Sequence, residues 1–101
     1  MPSFAVTRDV KTDNPNDAFQ ETLSQLPDLG YIVWKTRPLA WLIIANRELP
    51  DGKVNATISF RPGDGVVLSI SLSCETMEEA ALRAIGEELA DALDTLVATG
   101  S

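Results

Sequence analysis

Histidine is absent from this chain, and that gap removes the commonest general base and the commonest transition-metal ligand. Cysteine is nearly absent. Cys74 stands alone, so it cannot form an internal disulfide. With no imidazole to activate it and acids at Glu75, Glu78 and Glu79 close by, its thiol is expected to be a raised-pKa, buried, structural group. Long apolar runs are missing as well. The longest, 39–45, is far short of the ~18–20 residues a membrane span requires, and no membrane partner is expected. Basic residues are outnumbered by acids, giving a formal charge of −7. Nucleic-acid binders present a clustered basic field to phosphates, so no nucleic-acid partner is expected either. The first ten residues lack a cationic segment followed by an apolar stretch, and a cytoplasmic location is the expectation.

What remains suits one folded unit. A 101-residue chain with 45% hydrophobic and 23% charged residues can bury one core, so residues 1–101 are read as a single domain. The charge is concentrated at one end. From Glu75 onward seven acids face Arg83 alone, whereas the first 74 residues carry eight acids and seven bases.

The pattern of residues predicts an element order. Phe4 to Val10 alternates loosely and reads as a short strand. Asn14-Pro15 opens a helix, Asn as N-cap and Pro at the first helical position. Phe19, Leu23 and Leu26 then form one apolar stripe, which Pro27 ends. Residues 31–36 and 40–47 are β-branched and aromatic and read as two strands joined at Arg37-Pro38. Pro50-Asp51-Gly52 turns the chain. Val54, Ala56, Ile58 and Phe60, and then Val66, Leu68, Ile70, Leu72 and Cys74, alternate with polar or less bulky residues as two half-buried strands joined by Pro62-Gly63-Asp64-Gly65. A capping box, Thr76-x-x-Glu79, starts a long helix whose stripe is Met77, Leu82, Ile85, Leu89, Leu93 and Leu96, with Gly100 as its stop. The prediction is an α+β fold, β-α-β-β-β-β-α, with an antiparallel sheet of about five strands and both helices on one face.

Turn chemistry suggests a register. A three-residue loop facing Leu49 with Lys53 sets Leu42 against Phe60 and Ile44 against Ile58. In the next hairpin the apolar sets align with Ile58 opposite Leu68 and Ala56 opposite Ile70. Leu42 and Ile44 then join the core, and Trp41 and Ile43 point to the face without helices. Either Ile32 and Trp34 or Tyr31 and Val33 join them, with Arg47 and Arg61 on the same side. An apolar patch of this kind is covered by a loop, by a second copy of the chain, or by a small apolar ligand. Trp41, Ile43, Trp34, Ile32 and Arg47 are therefore the candidate interface or ligand residues.

Catalytic and metal chemistry find little footing. Glu87 and Asp91 lie one helical turn apart and could clasp a hard cation, though a solvated acidic face accounts for them. The oxygen-rich run Asp13 to Asp17 lacks the spacing of a calcium loop. An enzyme working through carboxylates such as Glu48 or Asp64 has no positive support in the sequence. No catalytic residue, metal site or cofactor is expected.

In element order the whole chain resembles one half of the TATA-binding-protein fold. It is also similar to a shortened helix-grip domain of the Bet v 1 and lipid-transfer type, in which a long C-terminal helix closes a curved sheet. The helix-grip resemblance implies an apolar ligand held between sheet and long helix, in a chain that lacks the extra helix and strands which make that cavity roomy. The leading functional expectation is a non-enzymatic module that self-associates as a dimer through the open sheet face. A small apolar-ligand carrier is the alternative.

Overall fold

The computed structural model describes residues 3–10, 14–50, 52–62 and 66–100, with side chains of the last helix as far as Asp94. Asp13, Asp51, the loop residues 63–65 and the side chains of Leu96 and Val97 lie outside the described residues. The elements are β1 (Ser3–Val10), α1 (Pro15–Gln25), β2 (Ile32–Arg37), β3 (Leu42–Leu49), β4 (Gly52–Pro62), β5 (Val66–Ser73) and α2 (Glu79–Gly100), with 3-10 turns at Leu26–Leu29 and Pro38–Ala40. The expected α+β order is the observed one. The strands form one antiparallel sheet in the order β1-β5-β4-β3-β2, so the first and last strands of the chain are neighbours.

Local chemistry explains the helix starts. Asn14 is extended and its side-chain oxygen accepts from the Asn16 N–H at 2.9 Å, with Pro15 at the first helical position, which supplies a partner for an otherwise orphaned donor. α2 does not start at Thr76 as expected. α2 begins at Glu79, and the Glu78 carbonyl accepts from Ala81 and Leu82. Thr76 is instead turned toward Cys74, whose sulfur is 3.5 Å from its hydroxyl.

The core lies between the sheet and the helices. Val54, Ala56, Ile58 and Phe60 of β4 and Leu68, Ile70 and Leu72 of β5 are buried against Phe19 and Leu26 of the first helical segment and Leu82, Leu89 and Leu93 of α2. β1 adds Phe4 and Val6, partly buried against the same cluster. Burying each large side chain contributes about 1.5–3 kcal/mol, which selects this face over the Ser/Thr-rich one.

Two registers differ from expectation. In the β4–β5 hairpin Ile58 pairs with Ile70 and Ala56 with Leu72. That is two positions from the register suggested by aligning the apolar sets, and a shift of two leaves every side chain on its expected face. In the β3–β4 hairpin Leu49 pairs with Gly52, not Lys53, so Ile43 faces Ile58 and Ala45 faces Ala56. This shift of one turns β3 over. Ile43 is fully buried, while Leu42 and Ile44 are half-buried on the other side. The turn is tight for a steric reason. Gly52 has φ +145, and a Cβ there would fall inside the Thr76 hydroxyl and 3.1 Å from the Cys74 sulfur, so only glycine fits where the hairpin end meets the chain leaving β5.

α2 seats on the sheet through Gly86, where a Cβ would lie 2.6 Å from the Phe4 ring and 3.3 Å from Leu72. Replacing Gly by Ala in a helix ordinarily gains up to ~1 kcal/mol, whereas forcing a methyl into a filled contact costs about 1–3 kcal/mol. Gly86→Ala is therefore expected to lower stability by about 1–2 kcal/mol in urea unfolding. Phe4→Leu in the same chain should recover part of that loss, and strictly additive losses would exclude the clash.

Candidate functional site

Two regions collect chemistry: a cleft between α2 and the β2–β3 end of the sheet, and the sheet face that no helix covers. The cleft is lined by Leu29, Tyr31, Arg47, Ile85, Glu88 and Leu89. Leu26–Leu29 ends in Gly30 at φ +92, and this left-handed residue swings the chain so that Tyr31 enters under α2 just before β2 begins. Arg47 pairs with the core residue Val54, so it faces the helices and not the open side expected from the sequence. The same one-residue register shift is the cause. Its guanidinium lies over the Tyr31 ring, 5.7 Å from the centroid, within cation–π range.

The Tyr31 side chain is buried, and the polar group acting on its hydroxyl is Arg47, which approaches it without forming a well-aligned hydrogen bond. Burial pushes the phenol pKa above its ordinary value, and the nearby Arg47 cation only partly opposes this. Open space in the cleft amounts to about 30 Å³. That admits water but falls well below the ~300–1,000 Å³ of pockets for drug-sized ligands.

The open face carries a different set. β2 bears a bulge that sets Trp34 and Lys35 together opposite Ile44, while Ile32 pairs with Asn46 and Arg37 with Leu42. Of the two alternatives for this face, Ile32 and Trp34 occupy it; Val33 pairs with the buried Ala45 and packs on the core. Ile32 is 61% and Trp34 62% exposed, and Leu42 and Ile44 are half-buried beside them. Leu39, at the tip of the β2–β3 connection, is fully exposed. Ile43 is in the core. Trp41 is also displaced from its expected place: it ends the Pro38–Ala40 turn at φ +49, its carbonyl accepts from the Phe60 N–H at 3.2 Å, and its side chain packs partly on the core. Leu42 and Ile44 are thus the members of the patch that sequence reasoning missed. The tight Leu49–Gly52 turn was the available signal.

Remaining candidates give no constellation. Among the described residues no three carboxylates or thiols gather into a metal-sized group. Asp91 is engaged by Arg8 at 2.6 Å, and Glu48 is exposed at the far end of β3. Cys74 is buried as expected, yet its thiol pKa is lowered, not raised. Hydrogen bonding from Thr76 outweighs burial and the Glu75 charge. No described helix is long and apolar enough to cross a membrane.

The raised Tyr31 pKa has a defined consequence for stability. The neutral phenol is favoured in the folded state, so its contribution is complete below the unfolded value near ~10 and is lost as pH rises through the higher folded value. Tyr31 is the only tyrosine, so ultraviolet titration at alkaline pH reads it without overlap from another phenol. It should ionise above the ordinary range and unfolding should accompany it. Tyr31→Phe removes the titrating group and is expected to shift alkaline unfolding to higher pH. An ordinary tyrosine titration would contradict this placement.

No family model matches the sequence, and no curated protein matches it. Solved structures do share its fold. Ara h 8.0201, a Bet v 1-like protein, superposes with a TM-score of 0.72 over 95% of this chain and 94% of its own, at 8% identity. The protein TTHA0849 from Thermus thermophilus gives a TM-score of 0.55 over 98% of this chain and 93% of its own, at 13% identity. At such identities the likeness is one of architecture alone: the chain has a helix-grip fold.

Proposed function

We propose that this protein is a non-enzymatic interaction module that docks partners on the open sheet face built from Ile32, Trp34, Leu42 and Ile44. The observation that carries this reading is the exposure of Ile32 and Trp34 side by side with Leu42 and Ile44 on a face whose other residues are mostly polar or charged. Contiguous apolar surface of this kind marks interaction sites far more often than it is left bare. Self-association is the simplest form of such docking. It brings Lys35, Arg37 and Arg61 of both copies into one interface, so it is expected to be weak at low salt and to strengthen as salt screens the repulsion.

A small-ligand carrier is the second reading. It is favoured by the likeness to Ara h 8.0201 and by the buried Tyr31 phenol and Arg47 guanidinium that line the sheet–helix cleft. The small open volume there means that any ligand larger than a few atoms must lift α2 from the sheet.

Sedimentation of the wild type and of an Ile32→Thr, Trp34→Ser variant separates these forms. The variant should fold with unchanged circular dichroism and remain monomeric. The wild type should associate at high micromolar concentration. A strictly monomeric wild type at every salt concentration would remove self-association from the proposal.

A further inference from the structure

The open face is cationic on a protein that is otherwise acidic. Lys35 pairs with Ile44 and Arg37 with Leu42, and Arg61 follows Ser59, which also pairs with Leu42, on the same side of the sheet. Three cations therefore border the apolar patch. None of them makes an ion pair with another described residue; the one such pair among these residues is Arg8 with Asp91, on the helix side. The nearest acid along their row, Asp9, is two strands from Arg61 through Val67, about 10 Å away. Glu48 sits at the opposite end of β3, beside Lys53. Acids concentrate instead on α2, which packs on the other face of the sheet.

On this basis we infer that the partner docked by the open face is an acidic amphipathic helix of another protein, its apolar stripe on Trp34, Ile32, Leu42 and Ile44 and its carboxylates toward Lys35, Arg37 and Arg61. The inference rests on the reading of this face as a docking surface. Three features select the occupant. Unpaired cations around an apolar centre complement carboxylates around an apolar stripe. β2 and β3 lie about 4.8 Å apart, so one helix, ~10 Å across, covers both rows. The bulge at Trp34 breaks the regular ladder that an added strand would need. A second copy sets like charges together and is therefore the weaker occupant, held only at high micromolar concentration.

The test uses the full chain and a synthetic amphipathic peptide of about 18 residues, with a leucine stripe and glutamate on the polar face. Matched peptides carry glutamine or lysine in place of glutamate, and an oligothymidylate supplies phosphate. Fluorescence anisotropy of dye-labelled peptides and of labelled oligothymidylate reports binding to the wild type and to every variant. The glutamate peptide should bind at least about tenfold more tightly than the glutamine peptide, and weaken severalfold from about 50 to about 500 mM salt. Lys35→Glu, Arg37→Glu, Arg61→Glu should reverse the preference to the lysine peptide, while Trp34→Ser weakens all of them. Equal binding of glutamate and glutamine peptides overturns the acidic partner but leaves the docking face standing. No binding by any peptide overturns both. Tighter binding of oligothymidylate than of the glutamate peptide overturns the inference in favour of a phosphate-reading face.

Discussion

The pairing of Leu49 with Gly52 decides what this protein shows to its surroundings. Because side chains alternate along a strand, one residue of slip in the β3–β4 hairpin exchanges the two faces of β3. The observed register sends Ile43 and Ala45 into the core and leaves Leu42 and Ile44 on the open side. It also turns Arg47 toward the helices, where its guanidinium covers Tyr31. The restraint on that register is steric. Gly52 lies so close to Thr76 and Cys74 that no side chain fits.

The helix side and the open side differ in kind. On the helix side, Gly86 lets α2 settle on Phe4 and Leu72, and the cleft that remains beside Tyr31 is barely larger than water. A helix-grip architecture with so closed a grip is better suited to stability than to holding a bulky guest. On the open side, nothing among the described elements covers Ile32, Trp34, Leu42 and Ile44, and the neighbouring cations make no ion pair with another described residue. The two layers also separate charge, acids on α2 and bases around the patch, so an approaching acidic partner is steered toward one face.

Much of this architecture was legible in the sequence. Asn14-Pro15 announced α1, and strict alternation in β4 and β5 assigned their faces even though the expected hairpin register was two positions away. The long stripe of α2 was equally plain, although the helix starts at Glu79 and not at Thr76. β3 was different. Leu42-Ile43-Ile44-Ala45 is apolar on both sides, so burial does not distinguish its two registers and the turn alone decides. Trp41 was unreadable for a related reason. It occupies a left-handed backbone position after a 3-10 turn, which is unusual for a bulky residue, and alternation does not apply there. The site was accordingly half legible: Ile32 and Trp34 are on the open face as one of the two expected alternatives, whereas Ile43, Trp41 and Arg47 are not.

The central claim is that the β3–β4 register exposes Leu42 and Ile44 and hides Ile43. Interstrand proton contacts measured by nuclear magnetic resonance read it directly. The account predicts backbone contacts between Ile43 and Ile58 and between Ala45 and Ala56. Contacts between Ile44 and Ile58 and between Leu42 and Phe60 in their place would mean that β3 is turned over, and the docking face described here would be contradicted.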